Sequence, residues 1–305
     1  MRSCIFGPVP SRRLGRSLGV DLVPFKTCSF DCVYCQLGKT TQKTIERREW
    51  VPIEAVVEQL EKRLSSKPDY ITLGGSGEPT LHSRIGELIA HIKALTTTPI
   101  AVLTNGSLLW QKELRAQIMD ADLIMPSLDA GDNNTFLSVN RPHAALKYDA
   151  IIQGLIDMRR EFSKIYWLEI LLVEGINSQL STLDSLAALV KHIKPDRVQL
   201  NTAVRPPAEP NIIGLSQSKM AELALRFCPQ AEVIADFSKA FEHPDMVAEL
   251  REILSLLERR PCSIEDIAHG LGMHRGEVIK YINRLVSRGQ IQERHRKGHI
   301  YYLVG

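Results

Sequence analysis

The sequence predicts an α/β fold: an incomplete (β/α)6 barrel over residues 1–241, followed by a small winged helix-turn-helix domain over residues 242–305. Three observations lead there. Short β-branched apolar runs alternate with longer segments of helical period, as a parallel sheet with helical crossovers requires. Six such units occupy about 230 residues, fewer than the eight of a closed barrel. After about Phe241 the pattern changes to short helices and a hairpin. An open doubly wound sheet is the alternative that the same alternation allows for the first part.

The expected strands are Leu18–Val23, Tyr70–Leu73, Ile100–Leu103, Leu123–Met125, Ile165–Val173 and Arg197–Leu200. Between them, Ile53–Leu64, Ile85–Leu95, Ala144–Phe162 and Leu180–Ile193 repeat apolar residues at helical spacing. Beyond Phe241, Met246–Leu257 carries Val247, Leu250, Ile253, Leu254 and Leu257 on one stripe, and Pro261 stops it. Ser263-Ile264-Glu265-Asp266 reads as a capping box that opens a short helix. Gly270-Leu271-Gly272 makes a turn, and a second helix buries Val278, Ile279, Ile282, Leu285 and Val286 before Gly289. Ile291–Arg296, a Lys297-Gly298 turn and His299–Val304 read as the hairpin wing.

Composition narrows the function classes. Lys and Arg number 38 against 35 Asp and Glu, a formal charge of +3 over 305 residues. That is too near neutral for a chain coated in nucleic acid. With 44% hydrophobic and 24% charged residues, the chain is not disordered as a whole. No apolar run reaches the roughly 20 residues of a membrane span. The opening MRSCIFGPVPSRRLGR interrupts its apolar stretch with Gly, Pro and Arg, unlike a secretory signal, so the cytoplasm is the expected compartment.

Six cysteines occur: Cys4, Cys28, Cys32, Cys35, Cys228 and Cys262. Three of them share the segment Cys28-Ser29-Phe30-Asp31-Cys32-Val33-Tyr34-Cys35, too tight for a disulfide framework. Thiolates at spacings of four and three suit zinc or an iron–sulfur cluster. Structural zinc wants a fourth closed ligand. The nearest histidine, His82, lies beyond the next expected strand. Cys4, Cys228 and Cys262 are expected to serve as small buried apolar residues.

The Cys loop follows the first strand and carries Tyr34 just before its last Cys. In this it resembles the radical S-adenosylmethionine (radical SAM) superfamily. Leu73-Gly74-Gly75-Ser76-Gly77-Glu78-Pro79 resembles that family's Gly-Gly-Glu-Pro motif, with Ser76 in place of the first Gly. The resemblance implies a 4Fe-4S cluster on Cys28, Cys32 and Cys35, with one iron left open for S-adenosylmethionine. Reductive cleavage then makes a 5′-deoxyadenosyl radical, and flavodoxin or ferredoxin is the implied electron donor. It also implies cofactor contacts from Ser76, Gly77, Glu78, Asn105, Ser127 and Asp129. Polar clusters stand at five strand ends: Gly74–Glu78, Thr104–Gly106, Ser127–Asp129, Glu169–Glu174 and Gln199–Thr202. That is the face where such barrels place their chemistry.

A narrower likeness joins Gly7-Pro8-Val9-Pro10-Ser11-Arg12-Arg13-Leu14-Gly15, Leu18-Gly19-Val20-Asp21, Asn140-Arg141-Pro142-His143 and Gln199-Leu200-Asn201-Thr202 with Arg205-Pro206-Pro207. It is similar to the wybutosine-synthesis group, the 4-demethylwyosine synthase-like proteins, over about residues 5–210. Those enzymes hold a second cluster on cysteines upstream of the main motif, where this sequence has only Cys4. Arg12, Arg13, Arg141 and Arg205 are candidates to hold an anionic substrate, and His143 is a candidate acid or base. In the C-terminal domain, Arg284, Arg288, Arg294, Arg296 and Lys297 make a basic end that could meet nucleic acid. Over residues 243–305 the balance is only ten Lys and Arg against eight Asp and Glu, +2. The expected function is radical SAM catalysis on a substrate the sequence does not name. The alternatives are a redox- or SAM-sensing nucleic-acid-binding regulator, or a tRNA base-modifying enzyme that docks RNA through the winged helix.

Overall fold

The computed structural model describes residues 4–11, 13–203, 209, 211–235, 244–259, 261–271, 273–296 and 299–304. The chain divides into two compact units, Gly7–Phe237 and a second that combines Met1–Phe6 with Ser238–Gly305.

The larger unit is built on one sheet in the order β1 (Ile5–Ser11), β2 (Gly15–Asp21), β5 (Tyr70–Gly74), β6 (Ile100–Thr104), β7 (Leu123–Pro126), β8 (Ile165–Leu172), β9 (Arg197–Thr202) and β10 (Glu232–Val233). Every pairing from β2 to β10 is parallel. A separate parallel pair, β3 (Thr27–Cys28) with β4 (Gln42–Lys43), braces the Cys loop. Parallel neighbours need crossovers, and helices supply them. They are α1 (Ile53–Glu61), α2 (Ile85–Leu95), α3 (Lys112–Ile118), α4 (Asn133–Val139), α5 (Tyr148–Glu161), α6 (Leu180–Ile193) and α7 (Gln217–Ala224). The α/β fold and its six central parallel strands stand as expected.

Period-two alternation gives the sheet two unlike faces. Leu18 and Val20, Ile71 and Leu73, Leu168 and Ile170, Val198 and Leu200 are all fully buried on one of them. Burying such a side chain contributes roughly 1.5–3 kcal/mol. The other face is graded along the strands. At the start of the strands, Leu14, Ala101, Leu123, Met125 and Trp167 form an apolar cluster. Toward the carboxyl ends it becomes polar, with Asp21, Glu169, Gln199 and Asn201. The gradient plugs one end of the sheet and leaves the chemistry at the other.

Among the elements that depart from expectation, three have a local cause. β1 pairs despite Gly7, Pro8 and Pro10. α5 begins only at Tyr148, because residues before it turn back, with the Leu146 N–H donating to the His143 carbonyl at 3.0 Å. α4 forms from Asn133-Asn134-Thr135, poor helix formers, because Asp132 accepts from the Thr135 amide at 2.9 Å.

The second unit contains α8 (Pro244–Arg259), α9 (Ile264–Gly270), α10 (Arg275–Ser287) and the antiparallel pair β11 (Ile291–Arg296) and β12 (His299–Val304). Its capping box is present: Ser263 Oγ accepts from the Asp266 amide at 3.1 Å while Asp266 accepts from the Ser263 amide at 2.8 Å. Leu250, Ile253, Leu257, Ile267, Val278, Ile282, Leu285, Ile291 and Tyr302 share its core. Cys262 adds a third edge to the hairpin by exchanging both backbone bonds with Tyr302, at 3.0 and 2.8 Å. Val247, Lys297 and Gly298 lie outside what is described of side chains or backbone. No helix among the described residues is long and apolar enough to cross a membrane.

Candidate cluster and cofactor site

The Cys loop is held from two sides. On one, the Asp31 and Val33 amides donate to the carbonyls of Asn140 and Val139, each at 3.0 Å, pinning the loop to the end of α4. On the other, the Thr44 amide donates to the Cys28 carbonyl at 3.0 Å and Thr40 Oγ1 to the Phe30 carbonyl at 2.7 Å. Phe30 and Val33 anchor it in an apolar cluster with Ala130, Phe136 and Val139. Ser29 and Tyr34 of the loop reach the strand ends, meeting Asn105 and Asp129, while Asp31 accepts from the Thr40 amide at 2.6 Å.

Each of the three thiols meets one side-chain nitrogen. Lys26 Nζ lies 3.0 Å from Cys35 Sγ, Asn140 Nδ2 3.4 Å from Cys32 Sγ, and Asn105 Nδ2 3.5 Å from Cys28 Sγ. The residues are only partly covered, yet the sulfurs of Cys28 and Cys32 are enclosed. Burial, with Glu78 adding its charge, pushes the Cys28 thiol up to about 12. Burial and the charge of Asp129 raise Cys32 as well. A thiolate there needs a cation to neutralise it, which a metal supplies. Soft sulfur donors fit zinc or iron. Among the described residues, no three His, Cys, Asp or Glu side chains are arranged to share a single ion. A cubane does not ask for that convergence, since each thiolate ligates a different iron. The donor set therefore fits a 4Fe-4S cluster better than structural zinc.

Beside the loop runs the strap Gly75–Glu78. Ser76 is buried, donating from its amide to Asp21 Oδ1 at 2.9 Å and from its hydroxyl to Asp21 Oδ2 at 2.7 Å. Gly75 has φ +104°, and a Cβ there would fall 1.6 Å from Asp21 Oδ1. At Gly77 a Cβ would stand 2.0 Å from the Thr27 carbonyl oxygen, just before Cys28. Both glycines are steric requirements of this packing. Glu78 is buried and committed to the chain's own donors: Thr104 Oγ1 at 2.6 Å, the Asn105 amide at 2.7 Å, and both the amide and hydroxyl of Thr80. Burial raises its pKa against these bonds.

A cleft at the ends of β6 and β7 gathers Asn105, Ser127 and Asp129 with Phe30, Asn140 and Tyr148. Asn105 Nδ2 also donates to Ser29 Oγ at 2.8 Å, tying cleft to loop. Asp129 is buried and accepts from Asn140 Nδ2 at 2.8 Å, the Leu171 amide at 2.9 Å and the Tyr34 hydroxyl. Burial pushes its carboxyl up to about 6.

The remaining candidates find protein partners. Arg13 donates to Glu169 Oε2 at 2.6 Å, and Glu169 Oε1 accepts from Asn201 at 3.0 Å. Arg141 pairs with Glu209 at 2.7 Å, and the His143 amide donates to the Ser29 carbonyl at 2.8 Å. Neither Arg13 nor Arg141 faces the site without an acidic partner, because the barrel mouth supplies its own carboxylates. Arg12 and Arg205 lie outside the described residues. Cys4 and Cys262 are buried as expected, whereas Cys228 is exposed, corrected by its place just beyond the last buried residue of its segment, Phe227. Residues given no role from the sequence are Asp21, Lys26 and Asn140, while Glu169 is expected only as part of a polar strand end. The signal for Asp21 and Glu169 was their place at strand ends, and for Lys26 its nearness to Cys28.

A family model of the radical SAM superfamily matches residues 22–186. The chain is 36% identical over 306 residues to a Brachyspira hyodysenteriae protein named GTPase Obg, covering 98% of this chain but 45% of that protein. This chain thus spans less than half the length of that relative. A UPF0026 protein of Methanocaldococcus jannaschii is 32% identical over 308 residues, covering 98% of this chain and 95% of the relative. In fold, the chain is similar to the structure of TYW1 with a lysine-pyruvate adduct bound, with TM-score 0.52 and 18% identity over 71% of this chain and 74% of that one. Members of the superfamily bind a 4Fe-4S cluster and S-adenosylmethionine. With its α/β sheet and a family match through the Cys loop and the strap, this chain belongs to the radical SAM superfamily and, by its full-length relative, to the UPF0026 proteins.

Proposed function

We propose that the protein is a radical SAM enzyme that holds its cluster on Cys28, Cys32 and Cys35. S-adenosylmethionine would lie between the Ser76–Glu78 strap and the cleft of Asn105, Ser127 and Asp129. The observation that carries this reading is the set of three loop thiols, each met by one nitrogen donor, beside a glycine-built strap. The cluster, when bound, supplies one electron for reductive cleavage of the sulfonium. The chain's own residues bind and orient. Asp21 fixes Ser76, and Glu78 couples the strap to Asn105, so a shift at either end moves both walls of the site. The buried thiols must lose their protons on loading, so loading strengthens with pH. Flavodoxin or ferredoxin is the proposed reductant. The substrate would enter at the barrel mouth beside Glu169 and Asn201. Anaerobic reconstitution should bring about four irons per chain, and dithionite should then yield 5′-deoxyadenosine. Cys32→Ala that kept both iron and cleavage would remove the proposal.

A second reading concerns the C-terminal unit, proposed as a winged helix-turn-helix domain over residues 242–305. Helices α9 and α10, the hairpin, and the third edge at Cys262 support it. We propose that exposed Arg294 on β11 contacts nucleic-acid phosphate, which makes binding weaken steeply with salt. Filter binding of duplex DNA and of tRNA across a salt series tests this, and retention that does not change with salt discards it.

A further inference from the structure

We infer that Lys26 sets the reduction potential of the bound cluster, as a positioned cation beside the ligand Cys35; this rests on the ligand assignment proposed above. Lys26 is 4% exposed, and its Nζ is 3.0 Å from Cys35 Sγ. Cys28 and Cys32 receive neutral amides from Asn105 and Asn140, at longer distances. Only Cys35 therefore receives a full positive charge among these three contacts.

The backbone supports the same conclusion. Lys26 sits at φ +59°, in the left-handed region that glycine or asparagine takes with less strain. Three bonds hold it there: its amide donates to the Ser76 carbonyl at 2.6 Å, and its carbonyl accepts from Thr41 and Gln42 at 3.1 and 3.2 Å. Strain at a position so firmly fixed points to a functional side chain. This one emerges between strap and loop and reaches a sulfur.

Reduction adds one electron, taken from a low-potential donor that is oxidised by one electron, and breaks no bond. The added negative charge spreads onto the sulfur ligands. Glu78 and Asp129, whose charges act on Cys28 and Cys32, oppose it. The Lys26 ammonium favours it, through a charge-assisted hydrogen bond to Cys35 Sγ. Net charge and hydrogen bonds to sulfur are the levers that set such potentials.

The test is a potentiometric titration of the anaerobically reconstituted full chain, followed by visible absorbance and electron paramagnetic resonance, with iron measured on each sample. Lys26→Met and Lys26→Gln should lower the equilibrium constant for one-electron reduction at least tenfold, about 59 mV to the negative. Lys26→Arg keeps the charge and should recover most of that loss. Equal midpoints in wild type and Lys26→Met overturn the inference, and so does a Lys26→Arg midpoint equal to that of Lys26→Met. Should Lys26→Met hold no iron, Lys26→Gln decides by the same criterion. Iron lost from both neutral variants also overturns it, since the ammonium would then act in assembly. A wild type without iron, or iron retained by Cys35→Ala, sinks the ligand assignment instead, and the iron analysis distinguishes that failure from an unchanged midpoint.

Discussion

Asp129 shows how tightly single side chains are committed at this site. Three donors converge on its buried carboxylate: Tyr34, Asn140 and the Leu171 amide. Asp129→Asn keeps the shape but leaves one acceptor oxygen and turns an NH2 toward groups that are themselves donors. A buried donor left unsatisfied costs about 1–3 kcal/mol. Urea unfolding should show a loss of that size, and Tyr34→Phe in the same chain should relieve part of it by removing one donor. Strictly additive losses would show that Tyr34 and Asp129 do not share this network. Gly77 is committed by space rather than by charge. Alanine there would set its Cβ against the Thr27 carbonyl oxygen and 2.7 Å from Val23. Thr27 is backbone immediately before Cys28, so the strap and the Cys loop must separate. Gly77→Ala should cost about 1–3 kcal/mol and reduce the iron retained after reconstitution. An unchanged urea midpoint with full iron would mean that the strap does not bear on the loop.

Between elements, the joint of α3 with α5 carries a pH signature. Arg115, its side chain only 6% exposed, donates to the carbonyls of Leu109 and Trp110 and makes two bonds to Glu161, at 2.8 and 2.9 Å. Those bonds hold the Glu161 carboxyl below its ordinary value. A depressed folded pKa means that the unfolded chain binds more protons across the window between the two values. The stabilisation is present above the unfolded value, about 4.3, and is lost as pH falls through the folded one. Glu161 is partly exposed, so solvent screening keeps the effect to about 1 kcal/mol. Glu161→Gln should therefore unfold more readily than wild type at pH 7, with a gap that closes toward pH 3; a gap independent of pH would rule out the ion pair as its cause. Elements of this kind also mark what was legible in advance. Strands such as Ile165–Leu172 announce themselves because the run itself is apolar almost without a break. β1 did not, since Gly7, Pro8 and Pro10 deny it the usual strand composition and the neighbouring strand β2 decides its state. α4 depends on a cap at Asp132 and on burying Phe136 and Val139, which only the fold reveals. At the site, three cysteines within eight residues could be recognised locally. The roles of Asp21 and Asn140 could not, because each acts across a gap in sequence that the crossovers close, whereas Lys26 lies nine residues from Cys35 and only the path of the loop turns it toward that sulfur.

At the scale of the molecule, two cores are separate in sequence. The sheet unit buries aliphatic strand residues under its helices, while the C-terminal unit closes α8, α9, α10 and a hairpin around its own cluster. Ile282 is fully buried and belongs to that cluster together with Val278 and Leu285 on α10 and Ile253 on α8. Truncating it removes three side-chain carbons from a packed site, and Ile→Ala in such a position costs about 2–5 kcal/mol. A unit of 74 residues has little reserve against such a loss. Ile282→Ala should therefore lower the unfolding temperature of the C-terminal unit by many degrees. Leu73, equally buried on the central strand β5, offers the reciprocal experiment, in which Leu73→Ala should act on the larger unit. Calorimetry of the full chain, with near-ultraviolet dichroism to follow Trp50, Trp110 and Trp167 in the sheet unit, separates the two. The tryptophan signal should melt unchanged in Ile282→Ala and earlier in Leu73→Ala. If both substitutions shift one common transition equally, the two cores unfold as a single cooperative body and the division of the chain is geometric only.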